Sequence, residues 1–154
     1  MKELLILLFL GSSLLRTENL YLGLQENWSD TLIGVFDGRT PCHELAKQLD
    51  EKVGPECIKI KWRLSIYQSL VSGNSGTYEL QGFVYKKGSP RIGKWHILKG
   101  TKTDPQAIVY QLDHPVGQSL FLQKGDENIL FFLSPQKELL VGNRDFSYTL
   151  NRVK

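Results

Sequence analysis

Residues 57–67, CIKIKWRLSIY, decide the fold class. Ile58, Ile60, Trp62, Leu64 and Ile66 alternate without a miss with Lys59, Lys61, Arg63, Ser65 and Tyr67. A period of two belongs to a β-strand with one dry face and one wet face, because successive side chains leave opposite sides of the pleat. Five large apolar groups on one face need an extended core to cover them. The wet face is basic, so it meets water or an acidic partner.

Downstream, short runs of strand character follow at close spacing: 77–87, 91–98, 106–112, 119–123, 128–133, 138–141 and 145–153, with Gly, Pro, Asp or Asn between them. SGNSG at 72–76 is a flexible turn that makes the first two strands a hairpin. Upstream, 31–36 reads as a short strand and DGRTP at 37–41 as a turn. Residues 43–53, HELAKQLDEKV, favour a helix with Leu45, Ala46 and Leu49 on one side, stopped by Gly54-Pro55. Eight or nine strands with one short helix near the N-terminus predict an all-β chain, a single antiparallel meander. Closing the meander into a small barrel removes its exposed edges, and the helix would then plug or cap one mouth.

The 154 residues suit one domain with a real core. A hydrophobic fraction of 41% and a charged fraction of 23% are those of a soluble globular protein. The net charge of +3 is mild, and Lys and Arg are scattered rather than blocked, so nucleic acid is not an expected partner.

The N-terminal residues MKELLILLFLGSSLL place a single Lys2 before an unbroken apolar run, Leu4 to Leu10, followed by Gly11, Ser12 and Ser13. That is a signal-peptide layout, and the run is too short for a stable membrane span. The alternative is a buried N-terminal element. The expected organisation is a signal peptide over 1–15, a linker over 16–30 and a barrel domain over 31–154. The product is periplasmic or secreted, and monomeric. No Cys follows the apolar run, so a lipid-anchoring cysteine is not expected.

Cys42 and Cys57 are the two cysteines. In an exported chain such a pair suggests a disulfide; the alternative is two free thiols.

Catalytic signals are weak. There is no Gly-x-Ser-x-Gly elbow and no phosphate-binding glycine loop. Of the three histidines, His96 stands beside Trp95 in a strand, as a wall residue, and His114 precedes Pro115 in a turn. Cys42-His43-Glu44 has the residue types of a thiol nucleophile or metal site, with Cys42 and His43 as the candidate ligands. Adjacent helical residues point in different directions, however, and cannot all grip one ion. A small barrel can instead hold one ligand inside. Trp62, Tyr78, Phe83, Trp95 and Phe132 are the candidate lining of such a pocket. Aromatic residues at strand spacing are more often packed core, and that reading comes first.

Gly38-Arg39-Thr40-Pro41-Cys42 followed by a meander resembles the N-terminal domain of the NlpE-like copper resistance family of bacterial envelope proteins. The family's Gly-Thr-Tyr-x-Leu strand is matched by Gly76-Thr77-Tyr78-Glu79-Leu80, and its Gly-x-Trp strand by Gly93-Lys94-Trp95. Its last strand is matched by Phe146-Ser147-Tyr148-Thr149-Leu150, so the resemblance covers about 32–152. It implies a lipocalin-like barrel, a lipid anchor, and a role in surface sensing and copper-linked envelope stress. The chain departs from the pattern at Leu45, where the family carries the second Cys of a CxxC, and it lacks the anchor Cys. The insertion after Cys42 suggests that Cys57 replaces the missing partner.

The expected function is therefore a non-catalytic exported binding or sensing module of the envelope, with no cofactor of its own beyond the copper that the resemblance implies. Its partner is an envelope protein. The alternative is a lipocalin-like carrier of a small apolar ligand. A filled interior favours the first, an open cavity lined by Trp62 and Trp95 the second.

Overall fold

The computed structural model describes residues 30–82, 89–114 and 117–154. The signal peptide expected over 1–15, nearly all of the linker, and Phe83 lie outside the described residues. Among the described residues eight strands follow one another: β1 Thr31–Pro41, β2 Lys59–Gln68, β3 Ser75–Gln81, β4 Arg91–Lys99, β5 Ile108–Leu112, β6 Leu120–Lys124, β7 Ile129–Leu133 and β8 Thr149–Arg152. A short helix, α1 His43–Gln48, lies between β1 and β2. Each strand pairs antiparallel with the next, and β8 returns to β1, so the meander closes into a barrel. No helix among the described residues is long and apolar enough to cross a membrane.

The alternation in β2 is realised. Ile60, Trp62, Leu64 and Ile66 are buried in the core, and Lys61 and Arg63 are exposed. Two positions depart from it. Ile58 is 67% exposed, because the β1–β2 ladder ends at Pro41↔Lys59 and leaves Ile58 beyond the barrel rim. Ser65 points outward yet is buried: it lies between its cross-strand partners Val35 and Glu79, whose longer side chains shade it.

The stretch 37–41 is not a turn. β1 runs straight through it, with Asp37 opposite Arg63 and Gly38 opposite Trp62. Its Gly answers crowding rather than chain reversal. A Cβ on Gly38 would stand 2.4 Å from the Thr149 carbonyl oxygen and 2.6 Å from the Leu150 side chain. Glycine inside a strand marks such a close approach, and Pro41 sits at the strand end, where it is tolerated.

The helix is shorter than 43–53. It ends at Gln48, and Asp50 takes a left-handed φ of 57° while the Glu51 N–H donates to the Ala46 carbonyl. Asp is among the few side chains that accept this conformation. Leu45 and Ala46 are buried as expected, and Leu49 packs on the margin of the core. At the other end of the chain, 138–141 is not a strand. It makes a single bridge, Leu133↔Leu139, and β8 begins at Thr149 rather than 145. The Asn143 side-chain oxygen accepts from the Asp145 and Phe146 N–H groups, so the local side chain competes with any ladder there.

Candidate functional site

Inward phases of all eight strands meet in one cluster. Phe36, Leu64, Ile66, Leu80, Leu112, Leu120, Leu122, Leu130 and Leu150 surround the aromatics that were candidates for a pocket lining. Trp62, Tyr78, Trp95 and Phe132 are each 3% exposed or less. The Trp62 and Phe132 rings stand 5.6 Å apart and tilted, as do Trp95 and Tyr110 at 5.1 Å. Every polar tip is occupied. The Trp62 indole N–H donates to Thr40 Oγ1, the Trp95 indole N–H to the Tyr67 carbonyl, and the Tyr78 hydroxyl to the Asp113 carbonyl. Buried aromatics whose polar atoms are satisfied by protein are in the state expected of packed core. Trp62 and Trp95 stack on different aromatic partners, Phe132 and Tyr110.

α1 closes one end of the barrel. Leu45 enters the core, and the Gln48 side-chain amide donates to the Leu133 carbonyl at the end of β7. The helix is held from the other side by the Cys42–Cys57 disulfide, with Cα atoms 5.9 Å apart. Cys42 is 1% exposed, and its sulfur is committed to that bond. His43 faces solvent. The two candidate metal ligands therefore do not converge on one point. Among the described residues no group of three His, Cys, Asp or Glu side chains is placed to hold a metal.

Near the same end the structure buries a cation that the sequence reading missed. Arg91, 6% exposed, sends its Nε–H to the Tyr78 hydroxyl and an Nη2–H to the Gln118 carbonyl. Its guanidinium also lies 5.9 Å from the centre of the Tyr78 ring. The signal was present in phase: Arg91, Gly93 and Trp95 share the inward parity of RIGKWHIL.

The opposite mouth holds a cavity of about 240 Å³ lined by Phe36, Ile66, Gln68, Tyr110, Lys124 and Arg152, among others. Lys124 is paired with Glu127 at 2.7 Å, and that hydrogen bond holds the Lys124 ammonium above its usual pKa and the Glu127 carboxyl below its own. Burial pushes the Tyr110 phenol up. Arg152 spans the seam between β8 and β1. It donates to the Glu127 and Ile33 carbonyls at 2.6 and 2.7 Å and lies over the Phe36 ring. These charges are engaged in closing the mouth. The space is small and polar, below the roughly 300–1,000 Å³ of ligand pockets.

On the wall, the His96 imidazole lies 3.4 Å from the Asp113 carboxylate, both well exposed. Ser75 is the cross-strand partner of His96, but its hydroxyl engages Ser72 Oγ at 2.6 Å. A nucleophile needs the base as its own hydrogen-bond partner. His114, in the loop after β5, is held below its usual pKa by partial burial and by the Arg91 charge.

No family model, curated protein or solved structure matches this chain. The reading of function rests on the geometry above and on the sequence.

Proposed function

We propose that this chain is an exported, non-catalytic binding or sensing module of the cell envelope, monomeric, that recognises a protein partner through the outside of its barrel. The observation that carries the reading is the state of the interior aromatics: among the described residues Trp62, Tyr78, Trp95 and Phe132 lie buried in one core cluster, and the polar tips of Trp62, Tyr78 and Trp95 are bonded to protein. The apolar run at Leu4 to Leu10 and the disulfide support an oxidising, extracytoplasmic address. The resemblance to the NlpE-like family supports the envelope role. Copper enters only through that resemblance. Cu(I) prefers thiolate or thioether ligands, and both cysteines here are bonded to each other.

Two measurements test the proposal. The folded protein is titrated with anilinonaphthalene sulfonate and with palmitate. Neither should bind stoichiometrically; one-to-one binding of either would establish the carrier reading instead. Mass spectrometry of the protein from its native host should show an N-terminus beyond about residue 11, as the length of the apolar run sets it. A mature chain that keeps Met1 would overturn export.

A further inference from the structure

The outer face of the β1–β2 ladder carries an unbalanced row of charge. Asp37 and Arg63, directly opposite, form a two-pronged pair, Nε to Oδ1 at 2.8 Å and Nη2 to Oδ2 at 2.6 Å. The next outward pair is Arg39 opposite Lys61, and the one after that Pro41 opposite Lys59. Like charges placed directly across a ladder repel, so this pairing works against the fold unless something anionic joins it. Among the described residues Arg39, Lys59 and Lys61 form no ion pair; the Lys59 ammonium instead lies 5.6 Å from the Phe146 ring centre.

The same place is concave. β8 accompanies β1 only from Phe36 to Gly38, while β1 continues to Pro41. A groove of about 500 Å³ opens where they part, with Arg39, Lys61, Trp62, Phe146, Ser147 and Thr149 on its walls. Its two carboxylates are Asp37, already held by Arg63, and Asp145, which has Arg144 beside it at 3.6 Å. The groove's own cations, Arg39 and Lys61, thus have no carboxylate partner among the described residues, while both of its carboxylates are accompanied.

We infer that this groove binds an acidic, extended peptide segment of a partner protein. Lys59 and Lys61 stand two residues apart on one strand, a repeat of about 7 Å. An extended segment with carboxylates at alternate positions has the same repeat, so one acid can meet Lys61 and Arg39 on the groove wall while the next reaches Lys59, which stands beside the wall residue Phe146. Ser147 and Thr149 are among the lining residues, and their hydroxyl groups are of a kind that suits a peptide backbone. A volume in the range of ligand pockets suits a segment that enters it better than a flat lipid surface that would span it. This deepens the proposed role as a protein-binding module and rests on it.

The test is fluorescence anisotropy of the full chain with a labelled Glu-Thr-Glu-Thr-Glu-Thr peptide, and with Gln in place of Glu. The acidic peptide should bind and the Gln peptide should not. Binding should fall as salt rises from about 0.05 M to about 0.5 M, where screening shortens the reach of exposed charges. Arg39→Gln with Lys61→Gln should weaken it about tenfold, since two exposed charge contacts are lost. Lys99→Gln, on β4, should leave it unchanged. Amide shifts in an NMR titration should gather at Arg39, Lys61, Phe146 and Thr149, and the free double variant should keep a dispersed spectrum. Absence of binding to wild type, equal binding of the Gln peptide, or an unchanged affinity in the double variant would overturn the inference. So would preferential binding to phosphatidylglycerol vesicles lost in the same variant, which would make the face a membrane contact. If the peptide fails while the apolar ligands also fail to bind, the groove alone is refuted. One-to-one palmitate binding refutes the protein-contact reading itself.

Discussion

Trp62→Ala is expected to destabilise the fold by about 3–5 kcal/mol, the range for truncating a fully buried Trp. The ring is 3% exposed and packs at 5.6 Å on Phe132, so its removal leaves a void in the middle of the barrel rather than at its margin. The loss has a polar part as well. Thr40 is wholly buried, and its hydroxyl accepts the Trp62 N–H at 2.9 Å. Stranding such a group adds to the cost. Small domains are stable by about 5–15 kcal/mol, so this one substitution removes a large share. Urea unfolding reads it directly. Lys61→Ala, the next residue but on the wet face, should change stability by less than about 0.5 kcal/mol. Equal effects at the two positions would reject the register described for β2.

The second large effect belongs to the disulfide. Replacing Cys42 and Cys57 together by Ser should cost about 2–4 kcal/mol, the span expected for releasing a loop of roughly 15 residues in the unfolded chain. Thiol titration of the unfolded, unreduced protein should find no reactive cysteine. Dithiothreitol should bring the wild type down to the stability of the double variant. A wild type indifferent to reductant would show that the bridge contributes nothing.

The barrel was legible because its evidence is local. Alternation in CIKIKWRLSIY, the SGNSG turn and the short spaced strands are all written over a few residues each. Errors arose where a distant contact decides. Gly38 looked like a turn residue, and only the approach of Thr149, more than a hundred positions away, explains it as a strand glycine. Asn143 ended a run of strand character by capping its own neighbours. Trp62, Tyr78, Trp95 and Phe132 are buried, but whether an interior is hollow depends on how eight inner faces interlock, and no single stretch carries that. The opposition of Arg39 and Lys61 was out of reach for the same reason. Each belongs to a plausible solvated strand, and the conflict exists only once the register sets them face to face.

The seam of the barrel orders events in time. β1 and β8 are the first and last strands among the described residues, and three residue pairs, Phe36↔Arg152, Asp37↔Asn151 and Gly38↔Leu150, join them. Neighbouring strands can pair as soon as each hairpin is complete, whereas this ladder must wait for the last strand and bears the largest loop-closure entropy. Until then the sheet has two open edges, each able to template pairing with another chain. A ribosome or a translocation pore delivers β1 first and β8 last, so the growing polypeptide remains an unclosed, adhesive ribbon for nearly its whole passage. The last few residues convert it at once into a surface with no ends.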